Sequence, residues 1–479
     1  MENNVMPKYK YVPGTASPAK DFKSRADIQK EELTDYYYTI LQARTGIEDN
    51  KTYPIMNQMA IYEGKNNRHL LNLASGTKDI VNNQPCDNET RIGIGSQTKM
   101  YAGAMIELFI DLGYITSRDD DVNDYLNPKY NFPALGVTIE QALTHTSRLW
   151  DVPVPDVFFE TPKGAPSTGP GNCGLAYYNK FYQNGQVIQT AAELRAEFVD
   201  WWKGRTFPGQ RDGADIAVGE FSYSNSGYIM LALIVEEAYE AEFGQFKLFD
   251  YIVQTYIFDP AGMTTASCGG TDAYTEVPNE WNNYVAVNQA KSYTYYGSEQ
   301  WGYNTYATTP THPVAALGAG NIIASTADHS KFLSFVASGD FMSSAAVDQF
   351  FTGRSDSSAQ FGNRFTATLE TPVPAGTGSQ YCSGIMEYEL LYYDDAAVGN
   401  AGRTGRILYS HAGLIDGAYG MSLYDKELDV CISIQVNKMT NEVYAATGGA
   451  LNDTYKKYIQ LYHPSLVNWP PVGEGPSFN

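Results

Sequence analysis

The chain has 479 residues, of which 43% are hydrophobic and 18% are charged, a composition typical of globular domains and not of disordered or fibrous chains. Its 33 Lys and Arg residues against 54 Asp and Glu residues give a formal net charge of −21, which repels nucleic-acid phosphates and anionic membranes. We therefore expect no nucleic-acid partner. We also expect no membrane span, because no apolar run approaches the roughly 18 residues that a spanning helix needs.

The five cysteines and six histidines form no metal or redox motif. No Cys-x-x-Cys pair and no His-Glu-x-x-His spacing occurs, so we expect no metal and no cofactor. The first seven residues contain neither a positive segment nor an apolar segment of the kind found in signal peptides. The chain is therefore expected to be cytoplasmic if Met1 is its native start, and an exported mature form otherwise. The oligomeric state is left open.

The first predicted elements combine a helix with short strands. Residues 1–25 are predicted to form an irregular arm, followed by an amphipathic helix over 27–45. Alternating apolar residues at 57–62 and 70–74 predict a β-hairpin, and a short strand is expected at 91–94.

A strong helical pattern follows this strand. Ser96 is expected to open the helix, whose apolar residues lie on one face, and Gly113 to end it.

The sequence pattern changes in the middle of the chain, 116–310. Helical patterns are separated by long loops, and no strand pair is apparent. The predicted helices are 138–145, 191–203, 226–242 and 247–256. The stretch 151–188 is rich in Gly, Pro and Asn and also in aromatic residues. We expect it to be a surface loop whose rings either line a cleft or pack onto their own lobe.

Strand patterns return after Gly318. Successive antiparallel strands are predicted at 385–393, 406–411, 417–424 and 430–437, and a closing helix at 443–462.

The predicted fold class is α+β: an antiparallel β-sheet flanked by helices, with a second, mainly helical lobe inserted. The sheet domain would comprise 26–115 and 311–465, the lobe 116–310, and the C-terminal tail 466–479. A ligand cleft is expected between the two lobes.

The segment Ser96-Gln97-Thr98-Lys99 follows a strand and a glycine. Residues three apart on a helix share a face, so the amine of Lys99 should lie beside the hydroxyl of Ser96. Burial and the positive end of a helix both disfavour an ammonium ion, which would leave Lys99 as a base for an attacking serine. The alternative is a helix-capping serine with a surface lysine. A second Ser-x-x-Lys, at Ser17 and Lys20, lies in the irregular arm and is interpreted as accidental.

Two further motifs are candidates for the same site. Tyr223-Ser224-Asn225 precedes an apolar helix, so Tyr223 could relay a proton and Asn225 could hold a substrate amide. The alternative is a turn that only caps the helix. His411-Ala412-Gly413 lies on an apolar strand, where a glycine lets an acyl group approach the backbone. The next backbone N–H could form half of an oxyanion hole. The alternative is a strand that ends in a glycine turn.

Taken in order, these motifs resemble the serine β-lactamase-related family, in its class C β-lactamase, DD-peptidase and esterase branch. The runs 141–147 (QALTHTS) and 318–328 (GAGNIIASTAD) are also similar to segments of that family. The resemblance covers roughly 30–460. It implies an acyl-enzyme serine hydrolase in which Ser96 is the nucleophile and Lys99 and Tyr223 transfer protons.

The resemblance also implies the residues that bind the substrate. They are Asn225, His411, Ala412 and Gly413, with the backbone N–H groups of Ser96 and Leu414 as the oxyanion hole. The chain departs from class C β-lactamases by carrying His-Ala-Gly where they carry Lys-Thr-Gly. This favours a peptidase, amidase or esterase acting on a small molecule or peptide over an efficient β-lactamase. An acyltransferase and a penicillin-binding protein without turnover remain alternatives.

Overall fold

A computed structural model gives the fold. The structure describes residues 24–45, 56–79, 82–132, 134–149, 195–196, 199–200, 219–268, 288–294, 306–307, 316–357, 379–391, 405–415, 418–439 and 441–466. Most of the predicted N-terminal arm, the 151–188 loop, most of the predicted helix 191–203 and the tail after residue 466 lie outside the described residues.

The described residues form sixteen strands, numbered in chain order. They are β1 (Asn57–Glu63), β2 (Arg68–Ser75), β3 (Thr77–Asp79), β4 (Gln84–Pro85), β5 (Ile92–Gly93), β6 (Ser267–Cys268), β7 (Tyr293–Thr294), β8 (Tyr306–Ala307), β9 (Ile322–Ala324), β10 (Ser355–Asp356), β11 (Gln380–Tyr381), β12 (Met386–Leu391), β13 (Gly405–Ile415), β14 (Ala418–Asp425), β15 (Val430–Val436) and β16 (Lys438–Met439).

The helices of the same residues are numbered in chain order. They are α1 (Arg25–Thr45), α2 (Thr98–Asp111), α3 (Val122–Tyr130), α4 (Ile139–Leu143), α5 (Asn225–Phe243), α6 (Phe249–Val253), α7 (Thr326–Ala337), α8 (Ser344–Phe350) and α9 (Asn441–Tyr462).

The largest sheet joins the two ends of the chain. Eight strands lie in the order β10-β11-β12-β13-β14-β15-β1-β2, and every neighbouring pair is antiparallel. The predicted hairpin forms β1 and β2, and β1 pairs with β15 from the C-terminal part. The predicted fold class, an antiparallel sheet with helices, is therefore confirmed. The boundaries of the two lobes remain a prediction.

Hydrophobic cores cover both faces of this sheet. On one face α1 and α9 pack against the central strands, with Leu33, Tyr455 and Ile459 fully buried. On the other face lies a larger core that includes α2, α5 and α7. All seven residues of β1 are buried because the strand is covered from both sides, which is why its alternation of apolar and polar residues is incomplete.

Two local predictions were wrong. The stretch 116–310 was expected to lack strand pairs, but β6 pairs with β9, and β7 pairs with β8 and β16. The strands within this stretch, β6, β7 and β8, have two residues each, too few to show a period of two. Ser96 was expected to open the helix, but it lies in a 3₁₀ turn, Gly95–Gln97, and α2 begins at Thr98.

Helix α2, which carries Lys99, is held in place by a close backbone contact. A Cβ atom on Gly103 would lie 2.1 Å from the carbonyl oxygen of Ser383, and one on Gly384 would lie 2.2 Å from the carbonyl oxygen of Lys99. The chain at 383–384 therefore approaches α2 more closely than any side chain would permit. Within the described residues, no helix combines the length and the apolar character needed to cross a membrane.

We expect Gly103→Ala to lower the free energy of unfolding by about 1–3 kcal/mol, because the added methyl group forces α2 away from Ser383. Gly448→Ala is the matched control, since this second helical glycine has room for a methyl group, with Met421 Sδ at 3.4 Å. The control should be neutral or stabilising by about 0.5–1 kcal/mol. Urea unfolding measures both. Equal effects of the two substitutions would contradict the close contact.

Candidate active site

Ser96 lies half-buried in the 3₁₀ turn between β5 and α2. The preceding Gly95 has φ +54°, a left-handed conformation that favours glycine. A Cβ atom at this position would lie 2.6 Å from the backbone nitrogen of Leu414. The absence of a side chain at Gly95 thus lets the turn that carries Ser96 rest directly on β13.

Lys99 is fully buried, one turn along from Ser96. Its amine Nζ lies 3.1 Å from Ser96 Oγ, 2.7 Å from Asn225 Oδ1 and 2.9 Å from the carbonyl oxygen of Ala319. The predicted proximity of Ser96 and Lys99 is present. A surface lysine, the alternative interpretation of this motif, is excluded by the burial.

The Tyr223–Asn225 segment enters the site at the start of α5. Ser224 accepts a hydrogen bond from the N–H of Gly227 and caps the helix, as the structural alternative predicted. Capping does not exclude a second role, because it places Asn225 on the first turn with its Oδ1 against Lys99. The ring of Tyr223 has Lys99 Nζ 4.8 Å from its centroid.

The third motif, His411-Ala412-Gly413, lies in the part of β13 that does not pair with β12. Strand β12 pairs with β13 from Gly405 to Ser410 and no further, so 411–415 pair with β14 only among the described strands. His411 is buried, and its Nε2 lies 3.0 Å from the hydroxyl of Tyr381, while its Nδ1 lies 2.5 Å from the carbonyl oxygen of Ala412. Burial, with Lys99 nearby, lowers the pKa of His411 to about 3. His411 is therefore a neutral ring at ordinary pH.

Gly413 is required by the protein's own backbone. A Cβ atom there would lie 1.8 Å from the carbonyl oxygen of Ile94, just before the Ser96 turn. The side chains of Ala412 and Leu414 pack against the core under α1 and α9, on the opposite face of the sheet from His411. Of Ala412 and Leu414, only the backbone is placed to meet a molecule at Ser96.

A buried polar network supports the Ser96 turn from behind. The amide oxygen of Gln97 accepts hydrogen bonds from His329 Nε2 at 2.8 Å and from Ser422 Oγ at 2.7 Å. His329 Nδ1 in turn lies 2.8 Å from the hydroxyl of Tyr101. Burial lowers the pKa of His329 to about 3, so the ring is neutral and one of its nitrogens can accept a hydrogen bond. The residue after Ser96 is thus fixed to α7 and to β14.

The structure places Lys99 Nζ within hydrogen-bond distance of both Ser96 and Asn225, with the Tyr223 ring beside it. Sequence reasoning missed the carbonyl of Ala319, which accepts a hydrogen bond from Lys99, because a backbone group leaves no mark in the sequence. It also missed Tyr381, which lies in a two-residue strand. Within the described part of the chain, no three His, Cys, Asp or Glu side chains lie together as a metal site would require.

Comparison with known proteins identifies relatives of the whole fold. The family model described as Beta-lactamase matches residues 56–454. Penicillin-binding protein 4* of Bacillus subtilis (strain 168) is 24% identical over 277 residues, or 58% of this chain. The match spans about half, 51%, of that protein's own length.

Two solved structures show the same fold. The octameric penicillin-binding protein homologue from Pyrococcus abyssi superposes with a TM-score of 0.56 at 18% identity, covering 90% of this chain and 77% of that one. D-amino acid amidase from Ochrobactrum anthropi SV3 has a TM-score of 0.57 at 17% identity, covering 91% and 99%.

The buried imidazoles predict loss of stability in acid. In the unfolded chain His329 and His411 take up protons near pH 6.5, whereas in the folded protein their pKa is about 3. Their contribution is therefore complete above about pH 6.5 and is lost as the pH falls toward 3. Urea unfolding between pH 7 and pH 4 gives the slope of the free energy of unfolding against pH, to which these two rings contribute a decline toward acid. His329→Gln should reduce that slope by up to about 1.4 kcal/mol per pH unit, the equivalent of one proton. An unchanged slope would show that His329 is protonated in the folded state.

Proposed function

This chain belongs to the beta-lactamase family, and we propose that it is a serine hydrolase that cleaves an amide or ester bond through an acyl-enzyme. One observation carries the proposal: the buried amine of Lys99 lies 3.1 Å from the hydroxyl of Ser96. A serine hydroxyl is a weak nucleophile unless a base takes its proton, and an amine removed from water is a base suited to that task.

In the proposed reaction Ser96 Oγ attacks the carbonyl carbon of the substrate and its proton passes to Lys99 Nζ. The tetrahedral intermediate collapses when the C–N or C–O bond to the leaving group breaks, and the leaving group takes up a proton through Tyr223. Water then attacks the acyl-enzyme, the ester to Ser96 breaks, and the hydroxyl recovers its proton. The position of the Tyr223 ring beside Lys99 supports the role of Tyr223 in these transfers.

The carbonyl oxygen of the substrate needs hydrogen-bond donors where its negative charge develops. We assign this role to the backbone N–H groups of Ser96 and Leu414. Its support is the direct contact of the Ser96 turn with β13 at Leu414. Asn225 would donate its amide N–H groups to the substrate, since its oxygen already accepts from Lys99. The backbone of 411–415, which does not pair with β12, would hydrogen-bond to the substrate as a strand does.

The third motif favours substrates without a carboxylate at that position. His411 is neutral, and both of its ring nitrogens already lie against protein groups, Tyr381 and the carbonyl of Ala412. The net charge of −21 adds a long-range field that disfavours anions. We therefore infer that the acyl donors are small neutral or cationic esters or amides, including peptide amides with a free amine.

Binding of penicillins with little turnover is the second candidate. It is favoured by the relative named Penicillin-binding protein 4*, whose identity to this chain is 24%. Transfer of the acyl group to an amine or alcohol would use the same acyl-enzyme, and a dependence of the rate on added acceptor would reveal it. All of these functions predict a covalent adduct on Ser96, whereas only hydrolysis predicts turnover in water alone.

We expect a fluorophosphonate to label Ser96, because the inhibitor reacts with activated serines. Ser96→Ala should abolish labelling, and turnover should fall by about 10³-fold or more. Lys99→Arg should be similarly inactive, since a guanidinium keeps its proton. Ser17→Ala, in the second Ser-x-x-Lys, is the matched control and should leave both readouts unchanged. Peptide mapping that places the label on another serine would refute the assignment of Ser96.

A substrate panel tests the inferred specificity. We expect clear turnover of a p-nitrophenyl ester or a D-amino-acid p-nitroanilide, and slow or absent turnover of nitrocefin and of a D-Ala-D-Ala peptide, because their carboxylates meet no fixed cation at His411. The loss of such recognition should lower kcat/KM by about 10²-fold or more. Nitrocefin hydrolysis at about 10⁶ M⁻¹s⁻¹, within the range of efficient enzymes, would contradict this inference.

A further inference from the structure

His145 is a buried residue outside the motifs used so far. It follows α4, is fully buried, and has φ +58°, a left-handed conformation in which Asn, Asp and His are enriched among residues other than glycine. Its ring lies between two tyrosines, with centroid distances of 4.2 Å to Tyr223 and 4.5 Å to Tyr381.

His145 accepts hydrogen bonds from the residues on both sides of Tyr223. The carbonyl oxygen of His145 accepts from the N–H of Ser222 at 2.7 Å, and its Nδ1 accepts from the N–H of Ser224 at 3.1 Å. The residues on both sides of Tyr223 are therefore fixed to one residue, and the Tyr223 ring rests on the imidazole at an interplanar angle of 37°. The backbone and the ring of Tyr223 are both restrained by His145.

Acceptance at Nδ1 requires a neutral ring. Burial lowers the pKa of His145 well below its ordinary value, and the neighbouring Lys99 and His411 lower it further. The ring proton then sits on Nε2, which has no hydrogen-bond partner among the described residues. Among the described residues the ring therefore forms its hydrogen bond through Nδ1, which accepts from the N–H of Ser224.

We propose that His145 is a positioning residue that sets the Tyr223 hydroxyl for proton transfer at Ser96 and Lys99. The inference rests on the role of Tyr223 in the proposed function. His145 does not touch the substrate in this proposal; it acts through the Ser224 N–H and through ring contact. Since a misplacement of about 1 Å at a reacting group can cost about 10²-fold in rate, removing the Nδ1 acceptor should lower kcat and leave KM nearly unchanged.

Two substitutions of His145 by amide residues distinguish a positioning role from a packing role. His145→Asn places an oxygen close to the position of Nδ1 and tolerates the left-handed backbone, whereas His145→Gln places its amide close to the position of Nε2. We expect the Asn variant to keep kcat within about tenfold and the Gln variant to lose about 10²-fold. Each substitution is also made in a Tyr223→Phe background, with a D-amino-acid p-nitroanilide as substrate, because its amine leaving group needs the proton that Tyr223 is proposed to deliver.

If His145 acts through Tyr223, His145→Gln should cost much less in the Tyr223→Phe background than alone. Equal losses in the two backgrounds, or a folded Asn variant as inactive as the Gln variant, would overturn the inference. Thermal unfolding of each variant checks the fold, and should the Gln variant not fold, the activity of the Asn variant still decides. Full activity of Tyr223→Phe by itself would instead refute the proposed role of Tyr223.

Discussion

The buried amine of Lys99 is the constraint on which the arrangement of the site depends. A buried amine or ammonium without partners costs several kcal/mol, so its hydrogen-bonding capacity must be met by the protein. The Ser96 hydroxyl, Asn225 Oδ1 and the Ala319 carbonyl lie within hydrogen-bond distance of Lys99 Nζ. They belong to the Ser96 turn, to the first residue of α5 and to the 316–320 turn, and Ala319 is 220 residues from Lys99 in the chain. Satisfying one side chain therefore draws three separate segments together around Ser96.

A second constraint is the close approach of backbones, which Lys99 alone could not impose. Glycines at 95 and 413 let the Ser96 turn lie against β13, and glycine at 384 does the same for the chain that rests on α2. Because the contacts are between main-chain atoms, they leave little freedom for adjustment. The N–H groups proposed as the oxyanion hole belong to this rigid contact, which is the preorganisation that stabilisation of a transition-state charge demands.

Three neutral imidazoles form hydrogen bonds that hold residues of the proposed site in place. His145, His329 and His411 are all buried, and burial lowers the pKa of each. Each ring therefore serves as a fixed hydrogen-bonding group and not as a charge: one holds the Tyr223 segment, one the Gln97 side chain, and one Tyr381. A site supported in this way has little cationic character at its third motif, which agrees with the inferred preference for uncharged or cationic substrates.

The features that depend on local patterns could be predicted from the amino-acid sequence. The hairpin of β1 and β2, the strands β12–β15 and the helices α1, α2, α5 and α9 follow from apolar periodicity, whereas α7 was not predicted. The proximity of Ser96 and Lys99 follows from a spacing of three residues. The distant groups that complete the site became apparent only from the packing of the folded chain. The carbonyl of Ala319 has no side-chain signature, and Tyr381 lies in a strand too short for periodicity. The hydrogen bond from the N–H of Ser224 to His145 Nδ1 joins residues 79 positions apart. Such contacts arise from the packing of whole elements, which a pattern along the chain does not encode.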